Sequence, residues 1–131
     1  MSALSNYLEA LIVTDYLQDV GNPVYLALFT DDPTDAGLIT DLDLYTGYQR
    51  VAATWSNLSA GGQTSNLADI EFAPNGNAAS LAVDINYAAI MDHATKGQGN
   101  VLIHGPLAPV KTLAVGDVLA FAAGALIMTL N

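Results

Sequence analysis

Val24-Tyr25-Leu26-Ala27-Leu28-Phe29 runs directly into Thr30-Asp31-Asp32-Pro33-Thr34-Asp35-Ala36-Gly37. On an extended chain Val24, Leu26 and Leu28 fall on one face and Tyr25, Ala27 and Phe29 on the other, so both faces want cover and the segment reads as a central strand. Its stop is equally clear. Side-chain oxygens of Thr30, Asp31 and Asp32 compete for backbone N–H groups, and Pro33 fixes φ, so a ladder cannot continue past them.

Upstream, Leu4, Tyr7, Leu8, Leu11 and Ile12 recur at the spacing of one helical face, with Ser2 or Ser5 placed to cap it. This predicts an α-helix from Ala3 to Asp19, within an N-terminal segment 1–20 that Gly21-Asn22-Pro23 closes. The apolar stripe either packs on the sheet of its own subunit or, being terminal, holds a neighbouring one, which makes these five residues the oligomer-interface candidates.

Downstream, residues 36–46 have no period and read as a loop, while Tyr48 to Trp55 alternates as a strand should. Asn57 to Asn66 is rich in turn residues. Ala68, Ile70 and Phe72 form a half-buried strand ended at Pro74-Asn75-Gly76-Asn77. From Ser80 to Met91 alternation is longest, with Leu81, Val83, Ile85, Tyr87 and Ala89 on one side. A loop over Asp92 to Asn100 follows, then a short strand Val101–His104 closed by Gly105-Pro106. Leu113 to Phe121 and Ala125 to Leu130 complete the pattern, with Gly116-Asp117 predicted as a tight hairpin turn. Frequent turns and no helical period after residue 57 predict a mainly β fold: an antiparallel β-sandwich or jelly-roll-like domain over 21–131 with an N-terminal α-helix, a single domain overall.

Thirteen acidic residues against three basic ones give the 131-residue chain a formal charge of −10. Such a balance disfavours nucleic acid, whose phosphates need cations, and favours a basic partner. Only 12% of residues are charged and 52% are hydrophobic, so much surface is neutral, as expected where neighbouring subunits cover it. No apolar run is long enough to span a membrane, and the N-terminus lacks the basic region of a secretory signal. No cysteine is present, so disulfides and thiolate metal sites do not arise.

His93 and His104 are the mid-range bases, and no nucleophile elbow, zinc-protease motif or phosphate loop accompanies them, so no enzyme and no cofactor is expected. Asp31, Asp32, Asp35, Asp41 and Asp43 are the candidates for docking a partner. They read either as turn formers or as oxygen ligands for calcium, with Pro33 standing where a regular calcium loop wants a ligand. Tyr48 and Trp55, with Tyr25, Tyr45 and Tyr87, are either core and interface anchors or an exposed aromatic patch for sugar.

The ending Leu113-x-Val115-Gly116-Asp117-x-Leu119-x-Phe121-Ala122-Ala123-Gly124-Ala125-Leu126-x-x-Thr129-Leu130 resembles that of small tailed-phage virion proteins labelled tail fibre or capsid decoration (cement) proteins. Tyr7-Leu8, Leu26 to Gly37, Tyr48-x-Arg50 and Asn66-x-Ala68-Asp69-Ile70-x-Phe72 match in order. The pattern departs after Pro74, where Ala79-Ser80-Leu81-Ala82 replaces the family's Trp-Gly. The resemblance implies a structural virion protein, most simply a cement protein bound to the major capsid protein on the capsid surface. The alternative is a tail-fibre or host-receptor module. Low charge implies self-association, and local three-fold positions on a capsid lattice suit a homotrimer.

Overall fold

The structure is a computed structural model describing residues 3–59, 61–79 and 81–130. β1 (Val24–Phe29) lies inside an antiparallel sheet, between β2 (Val51–Ala53) and β5 (Val83–Met91), and β6 (Val101–Leu113) forms the edge beyond β5. Both of its faces are covered, as its composition demands. Val24, Leu26 and Leu28 enter the main core, whereas Ala27 and Phe29 join Ala89 and Met91 in a smaller cluster on the opposite face, under Ile39 of the following loop.

Over the main-core face lie two short antiparallel ladders. One pairs β3 (Gln63–Ser65) with β8 (Ile127–Thr129), and the other pairs β4 (Ile70–Glu71) with β7 (Ala120–Phe121). They bring Ile70, Phe72, Leu119 and Leu130 against the sheet, with Trp55 held at its bridge to Asn66. The fold is thus mainly β and antiparallel, with a helix at its N-terminal end.

The helix is shorter than its periodicity predicts. α1 (Asn6–Leu11) is capped by Ser5, whose Oγ accepts the Leu8 N–H at 3.2 Å, and then widens into a π-helical segment, Ile12–Leu17. Thr14 Oγ1 donates to the Ala10 carbonyl within this region, and Gln18 N–H donates to Val13 O, the five-residue bond of a π turn. The widening carries Val13 and Leu17 into the core. The predicted stripe of Leu4, Tyr7 and Leu8 is left facing outward.

Two strands differ from expectation for local reasons. In β5 the register shifts between Ile85 and Tyr87, so Ile85, Ala88 and Ile90 share the main core while Tyr87, Ala89 and Met91 face the other cluster. A bulge has interrupted the alternation that reads so evenly in sequence. Opposite it, β6 continues through Gly105, Pro106 and Pro109 instead of ending at His104. Proline fits there because an edge strand has outward N–H positions that no ladder uses.

Gly116 has φ +87°, and Asp117 N–H donates to Ala114 O at 2.9 Å, so a tight turn does form. It is not a hairpin. The strands it connects pair with different partners, β6 with β5 and β7 with β4, making the turn a corner between sheets.

Candidate docking surfaces

Asp41, placed by its sequence context in an exposed acidic loop, has 0% exposure. Its carboxylate receives the Arg50 guanidinium through two bonds, Nε to Oδ2 at 2.8 Å and Nη2 to Oδ1 at 3.0 Å. A buried carboxylate persists only when paired, and this fork geometry is the strong form of the pairing. Gly97 N–H and the Tyr48 hydroxyl donate to the same carboxylate, and Leu28 N–H donates to the Tyr48 oxygen. Arg50 Nη1 then donates to the His93 and Gln98 carbonyls at 2.9 and 2.7 Å. One ion pair therefore fastens the loop between β5 and β6 to the central strand. Asp41 is removed from the docking candidates and from any calcium set.

Burial, reinforced by the neighbouring Asp41 carboxylate, pushes the Tyr48 phenol far above its ordinary value of 10.0. The folded protein keeps the proton, while the unfolded chain releases it near pH 10. Stability from this difference is whole below pH 10 and falls above it, by up to about 1.4 kcal/mol per pH unit. Urea titrations between pH 8 and 11 are expected to show that fall, and Tyr48→Phe is expected to start less stable and decline less steeply. Tyr45, which donates to Ala73 O at 2.8 Å, is raised by burial too and contributes a smaller alkaline slope of its own.

Asp31, Asp32, Asp35 and Asp43 remain exposed. In the turn after β1, Asp32 Oδ1 accepts the Thr34 N–H at 2.9 Å, and Thr34 adopts φ +56°, an uncommon angle for a β-branched residue. Half-buried His104 sits beside this rim, with Nδ1 3.7 Å from Asp32 and Nε2 4.0 Å from Asp35. His93 lies in the loop between β5 and β6, where its Nδ1 accepts the Thr95 N–H. Asp92 in that loop is held below the usual carboxylate range by the side chain and N–H of Asn100. Among the described residues no three His, Asp or Glu side chains converge as a metal site would need.

The exposed aromatic patch predicted as one alternative does not form. Tyr48 is buried between Tyr45, edge-on at 5.4 Å, and Phe72, stacked at 6.1 Å. Trp55 is 1% exposed, and its Nε1 has no acceptor among the described residues. Tyr25 and Tyr87 are half-buried on the sheet.

Of the interface candidates, Tyr7 is 75% exposed, with Leu4 and Leu8 also exposed; Leu11 and Ile12 are half-buried, and Ile12 packs on the core. Other large apolar side chains at the surface include Tyr16, Val20, Leu67 and Ile127. A groove of about 210 Å³ opens between β6 and β8, walled by Ile103, Leu107, Ile127 and Met128 and floored by Leu26 and Trp55. A second hollow, of about 400 Å³, lies at the end of the helical segment against Leu17, Pro23, Val24 and Leu67.

Two fasteners were missed in sequence because asparagine in a turn-rich stretch looks like turn chemistry. Asn66 is buried and donates to Ala68 O and Ala122 O while accepting from Leu126 N–H. Asn75, also buried, donates to Leu81 O and Leu113 O and accepts from Asn77 N–H. The polar groups with the most convergent partners thus hold loops together.

No helix among the described residues is long and apolar enough to cross a membrane. The model of one protein family, described as Podophage GP4 fiber I protein gp80, matches residues 3–129. No curated protein matches the chain.

Proposed function

Because the chain belongs to the Podophage GP4 fiber I protein gp80 family, a family of structural virion proteins, we propose that it is a self-associating subunit of a fibre on the phage particle. The observation carrying this is the family match over residues 3–129, which takes in the helix, both faces of the sheet and the short ladders. The role is adhesive. Asp41, Arg50, Tyr48, Asn66 and Asn75 direct their polar atoms into the fold, which suits a scaffold presenting surfaces better than a reaction centre. Self-association, in the trimeric form that a three-fold position would take, is supported by the apolar side chains left exposed at Tyr7, Tyr16, Leu67 and Ile127.

A second reading, decoration of the capsid through the major capsid protein, draws on the exposed carboxylates Asp31, Asp32, Asp35 and Asp43. An acidic rim steers a subunit towards a basic surface, and that attraction fades as salt shortens its range to about 8 Å at physiological strength. A subunit binding only the assembled shell would stabilise it by mass action. Nucleic acid and membrane have no part in either reading.

Disrupting purified virions, separating heads from tails and probing each fraction for the chain tests the two together. Recovery with a fibre-bearing fraction supports the first reading. For the second, purified subunit should bind undecorated heads with an on-rate that falls with salt and with Asp35→Lys plus Asp43→Lys, and heads that bind none would remove it. Absence from every virion fraction would overturn the structural role itself.

A further inference from the structure

Asn75-Gly76 is the one Asn-Gly pair in the chain. In an unfolded peptide such a pair is chemically labile, because glycine has no side chain to shield its nitrogen and its backbone turns freely toward the preceding amide. The Gly76 nitrogen attacks Cγ of Asn75: a C–N bond forms, the Gly76 N–H proton passes to solvent base, and the side-chain nitrogen takes up a proton and leaves as ammonia. Water then opens the five-membered imide at either carbonyl, giving aspartate or isoaspartate. Water is the sole co-reactant.

In the folded chain the reacting groups are all engaged elsewhere. Asn75 is 1% exposed, and the nitrogen that would leave donates to Leu113 O at 2.9 Å and to Leu81 O at 3.2 Å. Its Oδ1 accepts the Asn77 N–H at 3.0 Å. The attacking nitrogen is committed too, since Gly76 N–H donates to Thr46 O at 2.9 Å. Asn75 N–H donates to Asp117 O at 3.0 Å and its carbonyl accepts the Gly116 N–H at 2.7 Å, which clamps the backbone that would have to rotate. Gly76 itself is at the surface, so its protection comes from these bonds and not from exclusion of water.

Neither residue can be exchanged for a less reactive one without loss. A Cβ at Gly76 would meet Thr46 O at 2.8 Å, a contact with backbone that cannot swing aside. Asn75 supplies two donors and an acceptor from one short side chain, and aspartate would turn a carboxylate toward the Leu81 and Leu113 carbonyls. The fold therefore requires a pair that is labile outside it.

We propose that Asn75-Gly76 is a latent deamidation site that the fold keeps closed, and that its reaction in the opened chain makes unfolding irreversible. Aspartate at position 75 leaves a charge among carbonyls, and isoaspartate lengthens the main chain where the Gly116 corner is clamped, so neither product restores the junction. Chemical change of the unfolded chain then converts an equilibrium into a lifetime. The inference goes beyond the virion role and holds wherever on the particle the subunit sits.

Incubating the full chain at mildly alkaline pH, in native buffer and in guanidinium chloride, tests this. The tryptic peptide after Arg50 and up to Lys96 carries Asn57, Asn66, Asn75, Asn77 and Asn86, so tandem mass spectrometry compares five asparagines within one fragment. In denaturant Asn75 should convert well ahead of the other four, with isoaspartate detected by enzymatic methylation. In native buffer the same site should react about a hundredfold more slowly or less, since opening must first break several buried hydrogen bonds. Gly76→Ala, followed in denaturant where its own folding does not matter, should slow the conversion. Samples diluted out of denaturant after increasing times should refold in the proportion that still carries intact Asn75. Conversion in native buffer at the denatured rate, or conversion in denaturant no faster than at Asn57, would overturn the closed site. Chains modified at position 75 that refold and melt like unmodified ones would overturn the irreversibility.

Discussion

Replacing Arg50 with alanine is expected to destabilise the fold by about 3–5 kcal/mol, the range seen when one member of a buried ion pair is removed. The cost comes chiefly from what is left behind. Asp41 would keep its position with 0% exposure while losing both guanidinium bonds, and the His93 and Gln98 carbonyls would lose their donor. Asp41→Ala in the same background should recover part of the loss, because no uncompensated carboxylate then remains. Denaturant titration of the two single variants and the double variant reads this directly. Trypsin offers a second measure: Lys96 lies in the loop that Arg50 fastens, so cleavage after Lys96 should speed up in Arg50→Ala. A loss below about 1 kcal/mol would show that the pair is no stronger than an ordinary surface salt bridge.

Asn66→Ala is expected to cost about 3 kcal/mol or more, since it strips partners from Ala68 O, Ala122 O and Leu126 N–H together, and each unsatisfied buried group costs about 1–3 kcal/mol. These bonds join the corner between β3 and β4 to the turn between β7 and β8. Asn66 also exchanges backbone bonds there, its N–H donating to Leu126 O and its carbonyl accepting Gly124 N–H. Asn66→Asp is the sharper variant, because it keeps size and acceptor but replaces the amide donor with a carboxylate facing two carbonyl oxygens. It should be at least as damaging as alanine at neutral pH and milder below the carboxyl pKa. Thermal melts at pH 7 and pH 3.5, each referred to wild type at the same pH, check the order. Equal melting of wild type and Asn66→Asp at pH 7 would mean that water has replaced the amide's partners.

What was legible in the sequence was whatever depends on one segment at a time. Val24–Phe29 announces a strand covered on both faces, and it is one. Gly116-Asp117 announces a tight turn, and it is one, but which strands a turn connects depends on pairings made elsewhere. The register shift beside Ile85 was hidden because alternation in composition, Val83-x-Ile85-x-Tyr87-x-Ala89, does not reveal the additional residues that β6 carries between Pro106 and Lys111. Pro106 reads as a terminator until its strand is known to be an edge.

The candidate sites divide along the same line. Asp41 and Asp43 are neighbours of one chemistry in one loop, yet Asp41 pairs with Arg50 and Asp43 faces solvent. Only tertiary position separates them. Tyr48 and Trp55 were aromatic anchors after all; Tyr45 is a near neighbour of Tyr48 in sequence, but Phe72 and Leu26 come from distant parts of the chain.

Gold-labelled antibody against the folded chain, applied to intact virions and viewed by electron microscopy, tests the central claim most directly. Label is expected on the particle surface, concentrated on projecting fibres and absent from particles that lack the chain. Virions carrying the full set of projections but no label, with the chain found only in the infected-cell lysate, would contradict it.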